Sequence, residues 1–452
     1  MRKHIKSQLI ELLNTIKEAH HELSLLCFER AKEAEAAEVL TMCQQAAISV
    51  GTSIEESEGE GTHAVTLLEN YCELLYETHV KLQENPSGDG EISNSDIEEI
   101  ISVLNSKIEE VVENIRNDIK ERKEVVFMPY QSSMWDSLES VWMEYDADDN
   151  YDAYVVPIPY YSKNSDGSFG ELHYDIDKYP QNVPVISYDE YNFTVRRPDE
   201  IYIHNPYDGC NKVTSVHPDY YASNLKKYTD VLIYIPYFVC MNDAVADHFC
   251  VLPGTIHAHK VMVQSEKVKE KYIKVFTEEL TEQGIDVKAV FGDLNNKFVV
   301  RQSPKIDKVL RTTRENVEVP EKWQKIIGLK KVIFYNTTLQ TFMDNSDTYI
   351  DKLKAVFKLF AERNDIVLLW RPHPLFEKTV KAMYPYKCEE YRALVKEYID
   401  EEWGLYDDTE DLHRAIAISD AYYGDYSSVV ELYKATGKPI MIQNVKLING
   451  RE

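Results

Sequence analysis

The stretch LLWRPHPLF, Leu368 to Phe376, begins as an apolar run and then changes abruptly to Arg-Pro-His-Pro. A continuous apolar run of this kind is typical of a strand covered on both faces of a parallel sheet. Proline cannot donate to a strand ladder, so the strand is predicted to end at the prolines. Arg371 and His373 are two residues apart, so extended backbone would direct both to the same side. The stretch therefore predicts a buried strand whose carboxyl end carries two basic side chains.

Strand-like and helix-like segments alternate on both sides of this stretch. After a polar connector at 311–324, the chain continues with KVIFYNTT, YIDKLKAVFKLFAER, DIVLLW and further alternating segments. A similar series starts at VVFMPY (125–130) and includes DEIYIHNP, VLIYIPYF, HKVMVQSE and KFVVRQSP. Such alternation is typical of parallel sheets with helices on both faces. We predict an α/β fold with two doubly wound, Rossmann-like domains, at 123–312 and 325–452, that face a cleft.

Residues 1–122 show helical rather than strand periodicity, with apolar residues at spacings of three and four. The segment GTSIEESEGEGT (51–62) interrupts this pattern. The segment at 85–96 is a turn-rich linker in which Ser95 is placed to cap a further helix. The region carries no catalytic constellation. We predict a helical hairpin that serves as an oligomerisation arm, and hence a homo-oligomer.

The charge and composition of the chain restrict the binding partners that we expect for it. The formal net charge of -27 repels nucleic acid and anionic membranes, so no nucleic-acid partner is expected and membrane contact would be peripheral or indirect. The seven cysteines form no CxxC pair, and the chain opens without an apolar signal segment. Both features predict reduced thiols and a cytoplasmic protein, which could work at the inner face of the cell membrane. Asp146, Asp148 and Asp149 are interpreted as a solvated loop, so neither a metal nor a cofactor is predicted.

Polar side chains cluster where successive strands of the second domain are predicted to end. Ligands of open parallel sheets bind at these carboxyl ends, where free N–H groups, hydroxyls and guanidinium groups can hold a phosphate. The candidate residues are Thr337, Thr338, Arg371, His373, Asp425, Ser427 and Ser428. Each also has a structural interpretation, since Ser428 with Glu431 forms a capping box and Asp425 suits an ordinary turn. Their recurrence at neighbouring strand ends favours a pyrophosphate site.

These motifs together resemble the CDP-glycerol glycerophosphotransferases of teichoic acid synthesis. The resemblance rests on QSPKID (302–307), NTT (336–338), RPHP (371–374), DYSS (425–428) with Glu431, and Lys438-Pro439. It implies a GT-B-like fold and metal-independent transfer of glycerol phosphate, or a related polyol phosphate, from a CDP-linked donor to a glycan or polyol-phosphate hydroxyl, with release of CMP. We expect it to cover 290–440 well and to extend weakly to residue 125.

The resemblance also implies roles for individual residues. Arg371 and His373 would bind the phosphate under attack or the leaving group. Ser427 and Ser428 would hold the nucleotide phosphates, and Glu431 would reach the ribose hydroxyls. The further donor-side candidates are Thr337, Thr338, Asp425 and Lys305.

The amino-terminal half departs from the family pattern at one important position. The family carries His-Gly-Thr, whose histidine is the expected general base, whereas this chain has Pro253-Gly254-Thr255. Proline cannot accept a proton. The candidate replacements are His257, His259, and His204 acting with Asp208, although His204 also suits a structural loop position.

Two alternative functions stay open, and the second of them follows from this departure. The chain could be a GT-B glycosyltransferase that uses a nucleotide-sugar donor and transfers at carbon. It could also be a non-catalytic nucleotide or glycan binder with a helical interaction arm. The released nucleotide separates the two enzymes, because phosphate transfer releases CMP whereas sugar transfer usually releases a nucleoside diphosphate.

Overall fold

The computed structural model describes residues 1–28, 33–83, 93–164, 166–409 and 411–443. The chain divides into two compact units. A helical unit comprises 1–124 together with 146–152, and a sheet-bearing unit comprises 125–145 together with 153–452. Most of the linker predicted at 85–96 lies outside the described residues.

The helical unit is a bundle of four helices in the described part of the chain, which corrects the predicted hairpin. The helices are α1 (Lys3–Phe28), α2 (Glu33–Glu58), α3 (His63–Gln83) and α4 (Asn94–Asp118). Helix α1 packs against α2 and α4, and α3 packs against the same two helices. All four contribute buried apolar residues to one core. A hairpin of two helices would leave apolar side chains of this core in water, so the other pair of helices is needed to cover them.

Two helix boundaries differ from the sequence prediction. Helix α2 continues through Gly51 and ends at Glu58, before Gly59 and Gly61, which have φ of 86° and 78°. The cap of α4 is Ser93 rather than Ser95. The Ser93 hydroxyl accepts from the Asp96 amide (3.2 Å), and the Asp96 carboxylate accepts from the Ser93 amide (2.8 Å). This reciprocal capping box places the helix start two residues earlier than predicted.

The first part of the sheet-bearing unit contains a parallel sheet and an antiparallel insertion. The strands are β1 (Lys123–Phe127), β2 (Tyr151–Val155), β3 (Tyr160–Lys163), β4 (Phe169–His173), β5 (Glu200–Ile203), β6 (Thr214–Val216), β7 (Val231–Tyr234), β8 (Lys260–Val263) and β9 (Phe298–Val300). Among the described residues the first sheet has the order β2-β1-β5-β7-β8-β9, and the insertion has the order β4-β3-β6. The pairs β1/β5, β5/β7, β7/β8 and β8/β9 are parallel.

Helices connect the strands of this first part. They are α5 (Glu139–Asp146), α6 (Phe193–Arg196), α7 (Ala222–Leu225), α8 (Pro253–His257), α9 (Glu266–Glu282), α10 (Val287–Phe291), α11 (Leu294–Lys297) and α12 (Pro304–Arg311). Helix α12 contacts the helices of the second sheet that are described next.

The second sheet is entirely parallel, as the apolar runs predict. Its strands are β10 (Lys331–Thr337), β11 (Ile366–Pro372), β12 (Leu405–Tyr406), β13 (Ala421–Gly424) and β14 (Ile440–Ile442). The helices are α13 (Glu321–Ile327), α14 (Leu339–Asp344), α15 (Tyr349–Ala361), α16 (Phe376–Met383), α17 (Pro385–Asp400), α18 (Leu412–Ile418) and α19 (Ser428–Lys434). Within the described residues the strand order is β12-β11-β10-β13-β14.

Alternate residues of each central strand enter different apolar cores. Leu368 and Trp370 of β11 pack with α15 and α17, whereas Val367 and Leu369 pack with α18 and α19. Both faces are covered, which explains why the run IVLLW contains no polar residue. The predicted α/β architecture, with two Rossmann-like parallel sheets and a preceding helical region, is confirmed.

The strand order defines where a ligand can enter the second sheet. The chain passes from β10 outward to β11 and β12, and then returns to β13 on the other side of β10. The crevice of such a sheet opens between the carboxyl ends of the two strands at this reversal, here β10 and β13. Gly424 ends β13 with φ of 147°, and a Cβ there would lie 2.2 Å from the Asn336 carbonyl oxygen. The two strand ends therefore approach more closely than any side chain at residue 424 would permit.

Candidate functional site

Asp425 lies at the base of the crevice between β10 and β13. Its side chain is 1% exposed, and Oδ1 is 2.9 Å from Nζ of Lys352 on α15, which is equally buried. Its Oδ2 accepts a hydrogen bond from the Thr338 amide at 2.7 Å. Asp425 thus joins the ends of both strands to α15, and we assign it to the support of the crevice rather than to phosphate contact.

Lys352 is a residue that the sequence prediction missed. Burial lowers the pKa of its ammonium, while the negative charge of Asp425 opposes that shift. Its position within the apolar stripe formed by Tyr349, Leu353 and Val356 is the signal that could have identified it. A lysine at a buried helical position requires a counter-ion, and Asp425 is that counter-ion.

The two threonines after β10 stabilise the strand end. Thr337 is fully buried, and its hydroxyl accepts from the Trp370 indole N–H at 3.2 Å. Thr338 caps α14, since its hydroxyl accepts from the Thr341 amide at 3.3 Å. The prediction that Thr337 contacts a donor phosphate is corrected, because its side chain faces the core. Thr338 is half-buried, and its hydroxyl also donates to Asp425 at 3.3 Å.

The DYSS segment divides into a structural serine and an accessible one. Ser427 is the N-cap of α19, and its hydroxyl accepts from the Val429 amide (3.3 Å) and from the Asn336 side chain (3.2 Å). Ser428 is exposed at the first position of α19. Glu431 lies one turn further, and its Oε1 accepts from Lys434 Nζ at 2.7 Å. Ser428 is therefore accessible to a ligand, whereas the side chain of Glu431 is only 12% exposed.

Arg371 does not present a free guanidinium. Its Nη1 is 2.6 Å from Oδ2 of Asp407, and both side chains are buried. Asp407 Oδ1 accepts from the Thr409 amide at 3.2 Å and hydroxyl at 2.7 Å. A buried carboxylate already compensates the charge of Arg371, so the geometry favours a supporting role for this residue over the predicted contact with the phosphate under attack. Asp407 follows the strand β12, which is only two residues long. A strand this short leaves no recognisable pattern in the sequence, so the sequence analysis did not identify Asp407 as a site residue.

His373 is exposed at the end of β11 and is held in a defined orientation. Its backbone amide donates to the Thr337 carbonyl at 3.0 Å, and its Nδ1 accepts from the Leu375 amide at 3.2 Å. Because Nδ1 accepts a hydrogen bond, the neutral ring carries its proton on Nε2. Partial burial lowers the pKa of the imidazole, which favours this neutral form. His373 therefore offers an Nε2–H donor at the carboxyl end of the sheet.

In the first sheet, His204 is a core residue. It is 0% exposed, and Nε2 accepts from the Tyr130 amide at 3.1 Å. Nδ1–H donates to the Ser137 hydroxyl at 2.9 Å, which in turn donates to the Met134 carbonyl. Burial lowers the pKa of His204 to about 3. The prediction that His204 serves as a general base is corrected, because both nitrogens are bonded and burial disfavours the charged ring.

Asp208 and the Pro253 segment also have structural roles. Both carboxylate oxygens of Asp208 accept from the Ala222 amide, at 2.9 and 3.1 Å, and burial raises the pKa of this carboxyl to about 6. Asp208 therefore anchors the start of α7 and makes no hydrogen bond with His204. The Gly254 amide donates to the Pro206 carbonyl at 2.8 Å, and a Cβ on Gly254 would lie 2.7 Å from Pro206 Cα. The glycine is thus needed for close packing.

His257 and His259 lie beyond this segment. His257 is the last residue of α8, and the pKa of its ring is lowered by burial and by the nearby ammonium groups of Lys226 and Lys297. His259 accepts from the Leu232 amide through Nδ1 at 2.8 Å. Both lie on the segment that leads into the amino-terminal end of β8, whereas parallel sheets bind ligands at the carboxyl ends.

An ion cluster connects the loops of the two sheets. Asp136, in the turn after β1, is bonded to His413 Nε2 on α18 at 2.8 Å and to Lys305 Nζ on α12 at 2.5 Å. Burial alone would raise the pKa of Asp136, but Lys305 and His413 hold it well below its usual range. Asp136 compensates the charge of Lys305, which favours a structural role for this lysine over the predicted contact with a donor phosphate. Sequence patterns missed Asp136 and His413 because they are distant in the chain.

Among the residues that the structure describes, no group of three or more histidine, cysteine, aspartate or glutamate side chains is arranged to hold a metal ion. No helix in the described ranges is long and apolar enough to cross a membrane. Asp146, Asp148 and Asp149 lie at or after the end of α5, in a segment that is mostly exposed.

Comparisons with known proteins agree with the motifs of the second sheet. Residues 265–447 match the family model described as CDP-Glycerol:Poly(glycerophosphate) glycerophosphotransferase, which confirms the resemblance over this part of the chain. No curated protein matches the chain.

Solved structures give distant matches. A UDP-N-acetylglucosamine 2-epimerase is 13% identical with a TM-score of 0.42, and the match covers 72% of this chain and 80% of that chain. A putative UDP-N-acetylglucosamine 2-epimerase from Listeria monocytogenes is 13% identical with a TM-score of 0.43, covering 71% and 79%. The wall teichoic acid polymerase TagF is 14% identical with a TM-score of 0.39, covering 76% of each chain.

Proposed function

We propose that this protein transfers glycerol phosphate, or a related polyol phosphate, from a CDP-linked donor to a hydroxyl of a glycan or teichoic-acid-like polymer, with release of CMP. The observation that carries the proposal is the family match over 265–447, which contains the second sheet and the motifs at its strand ends. The geometry of His373 supports it, because an oriented Nε2–H donor stands beside the crevice of this sheet.

The proposed reaction is an in-line displacement at the β-phosphorus of the donor. The acceptor oxygen forms a new P–O bond and its proton passes to solvent water, while the bond between the β-phosphorus and the bridging oxygen breaks and that oxygen leaves with CMP. Negative charge increases on the phosphate oxygens in the transition state. His373 donates to one of these oxygens from Nε2, and a preoriented donor of this kind stabilises the transition state because it needs no reorganisation.

The other donor-side residues divide into ligand contacts and supports. Ser428 binds a nucleotide phosphate, and Glu431 accepts from a ribose hydroxyl. Arg371 and Asp425 act indirectly: their buried ion pairs with Asp407 and Lys352 hold the loops on which the contacting residues lie.

The test is CMP release by the purified protein from CDP-glycerol, in the presence of a polyol-phosphate or glycan acceptor. The His373→Ala variant is expected to lose at least 100-fold in kcat, on the order of one lost transition-state donor, while its circular dichroism spectrum and melting temperature stay unchanged. His248→Ala, which removes an exposed histidine of the same unit, is the control and should retain full activity. Full activity of the His373 variant would contradict the assignment.

A non-catalytic nucleotide or glycan binder is the second candidate. It is favoured by the structural roles of His204 and Asp208, by Pro253, and by the position of His257 and His259 before the amino-terminal end of β8, away from the carboxyl ends where ligands bind. Calorimetry that detects binding of CDP-glycerol, without CMP release for any acceptor, would support it. Release of a nucleoside diphosphate from a nucleotide sugar would instead support a glycosyltransferase.

The proposed function includes a location in the cell and an oligomeric state for the protein. We place the protein in the cytoplasm, with access to the inner face of the membrane through an acceptor or partner, because the strong negative charge disfavours direct lipid contact. Homo-oligomerisation through the helical unit stays a prediction.

A further inference from the structure

Asn242 connects a loop of the first sheet to both ends of α19. It belongs to the turn Met241–Asp243, which follows β7. Its Nδ2 donates to the Tyr426 hydroxyl at 2.8 Å, and its Oδ1 accepts from Lys434 Nζ at 3.3 Å. Tyr426 immediately precedes the cap of α19, and Lys434 is the last residue of that helix.

The same two partners hold Glu431. The Tyr426 hydroxyl donates to Oε1 of Glu431 at 3.3 Å, and Lys434 Nζ donates to the same oxygen at 2.7 Å. Asn242, Tyr426, Glu431 and Lys434 thus form a closed ring of hydrogen bonds. The directions are consistent, because the tyrosine hydroxyl accepts from Asn242 and donates to Glu431. Such a ring restricts the rotation of the carboxylate, and it uses Oε1 while Oε2 stays outside it.

The turn that carries Asn242 is firmly anchored to the first sheet. Gln264, after β8, bonds the Cys240 amide (2.7 Å), the Cys240 carbonyl (2.9 Å) and Asp243 Oδ1 (3.0 Å). The Ser265 hydroxyl also donates to Asp243, at 2.9 Å. Asn242 itself has the left-handed backbone conformation, φ 50° and ψ 34°, which asparagine tolerates better than most residues. The side chain is therefore presented to α19 from a rigid support.

We propose that Asn242 is a positioning residue for the nucleotide, which acts by holding Tyr426 and Lys434 against Glu431 so that Oε2 of this carboxylate meets a ribose hydroxyl. The inference rests on the proposed function for the ribose contact of Glu431. It adds that the nucleotide site is complete only when a residue of the first sheet is in place. Recognition of the ribose hydroxyls thus depends on contact between the two sheets, and not on the second sheet alone.

The test measures ribose discrimination by calorimetry of the full-length protein with CMP, 2′-deoxy-CMP and 3′-deoxy-CMP. The wild type is expected to bind CMP about tenfold more tightly than the weaker deoxy analogue, as for one hydrogen bond to a charged group. The Asn242→Gly variant retains the left-handed backbone because glycine adopts positive φ freely. This variant should weaken CMP binding about fivefold and leave binding of that analogue unchanged, so that discrimination falls to about twofold.

Two further variants serve as the negative control and as the variant that should lose ribose discrimination completely. Lys267 donates to the Asn242 carbonyl at 3.3 Å but lies outside the ring, so Lys267→Ala should keep the tenfold discrimination. Glu431→Gln should abolish it. Melting temperatures of all variants are measured in parallel, because a purely structural role of Asn242 would weaken binding of CMP and of the deoxy analogues equally.

The outcomes separate this inference from the proposed function. Discrimination that is lost in Asn242→Gly and kept in Lys267→Ala supports the inference, whether or not CMP release from CDP-glycerol is observed. Unchanged discrimination in Asn242→Gly overturns the inference even if the enzyme is active. A wild type that binds CMP and its deoxy analogues equally, or binds none of them, also overturns it, because Glu431 then does not read the ribose.

Discussion

Polar groups at the strand ends of the two sheets are buried in different ways. In the second sheet, Arg371 and Asp425 are buried together with opposite charges, Asp407 and Lys352. In the first sheet, His204 and Asp208 are buried against backbone and hydroxyl groups, so burial favours their neutral forms. Ion pairs keep the loops of the second sheet in place around an accessible crevice, whereas His204 and Asp208 hold the loops of the first sheet through hydrogen bonds with backbone and hydroxyl groups. The comparison explains why the second sheet has a recognisable candidate site, whereas the charged and ionisable candidates of the first sheet serve its packing.

The largest expected effect tests the ion pair of the second sheet. Lys352→Met leaves Asp425 buried without its counter-ion and is expected to lower the free energy of unfolding by about 3–5 kcal/mol, measured by urea denaturation. Lys354→Met removes an exposed lysine of the same helix, which pairs with Glu390, and should cost less than about 1 kcal/mol. If both variants lost the same free energy of unfolding, the buried ion pair would contribute no more to stability than the exposed one.

The next effect tests the neutral histidine of the first sheet. The folded-state pKa of His204, about 3, lies below the unfolded value near 6.5. The unfolded chain therefore binds more protons between these values, and the stabilising contribution of the neutral ring is lost as the pH falls from 6.5 towards 3.

The change His204→Gln removes this titration. The stability difference between wild type and variant should shrink by about 1.4 kcal/mol per pH unit over that interval, measured by urea denaturation at several pH values. Asp208 contributes with the opposite sign, since its raised pKa of about 6 favours the folded state on acidification, but it is present in both proteins and cancels in the difference. Parallel pH profiles would contradict a buried neutral His204.

The smallest effect separates the two serines of α19. Ser427→Ala removes the helix cap and is expected to cost about 1 kcal/mol, whereas Ser428→Ala should leave stability unchanged and raise the KM for the donor. Thermal denaturation and donor titration of both variants measure the two quantities. A larger stability loss in Ser428→Ala would reverse the assignment of cap and ligand contact.

Sequence patterns predicted the fold more reliably than the roles of individual site residues. The run IVLLW predicts a doubly covered strand because both of its faces must be apolar, and the prolines mark its end. The position of His373 follows from the same reasoning. The roles of Arg371 and Thr337 did not follow, because the groups that bind them, Asp407 and Trp370, lie on other strands or loops.

The sequence by itself determined the alternation of strands and helices, the two parallel sheets, the helical region and the family motifs, because periodicity and strand endings are local properties of the chain. Only the tertiary structure decided which charged groups are compensated. The pairs Arg371 with Asp407, Lys352 with Asp425 and Asp136 with His413 join residues that are 36, 73 and 277 positions apart. Burial sets the cost of an isolated charge, and whether a partner is present depends on contacts that no local pattern records.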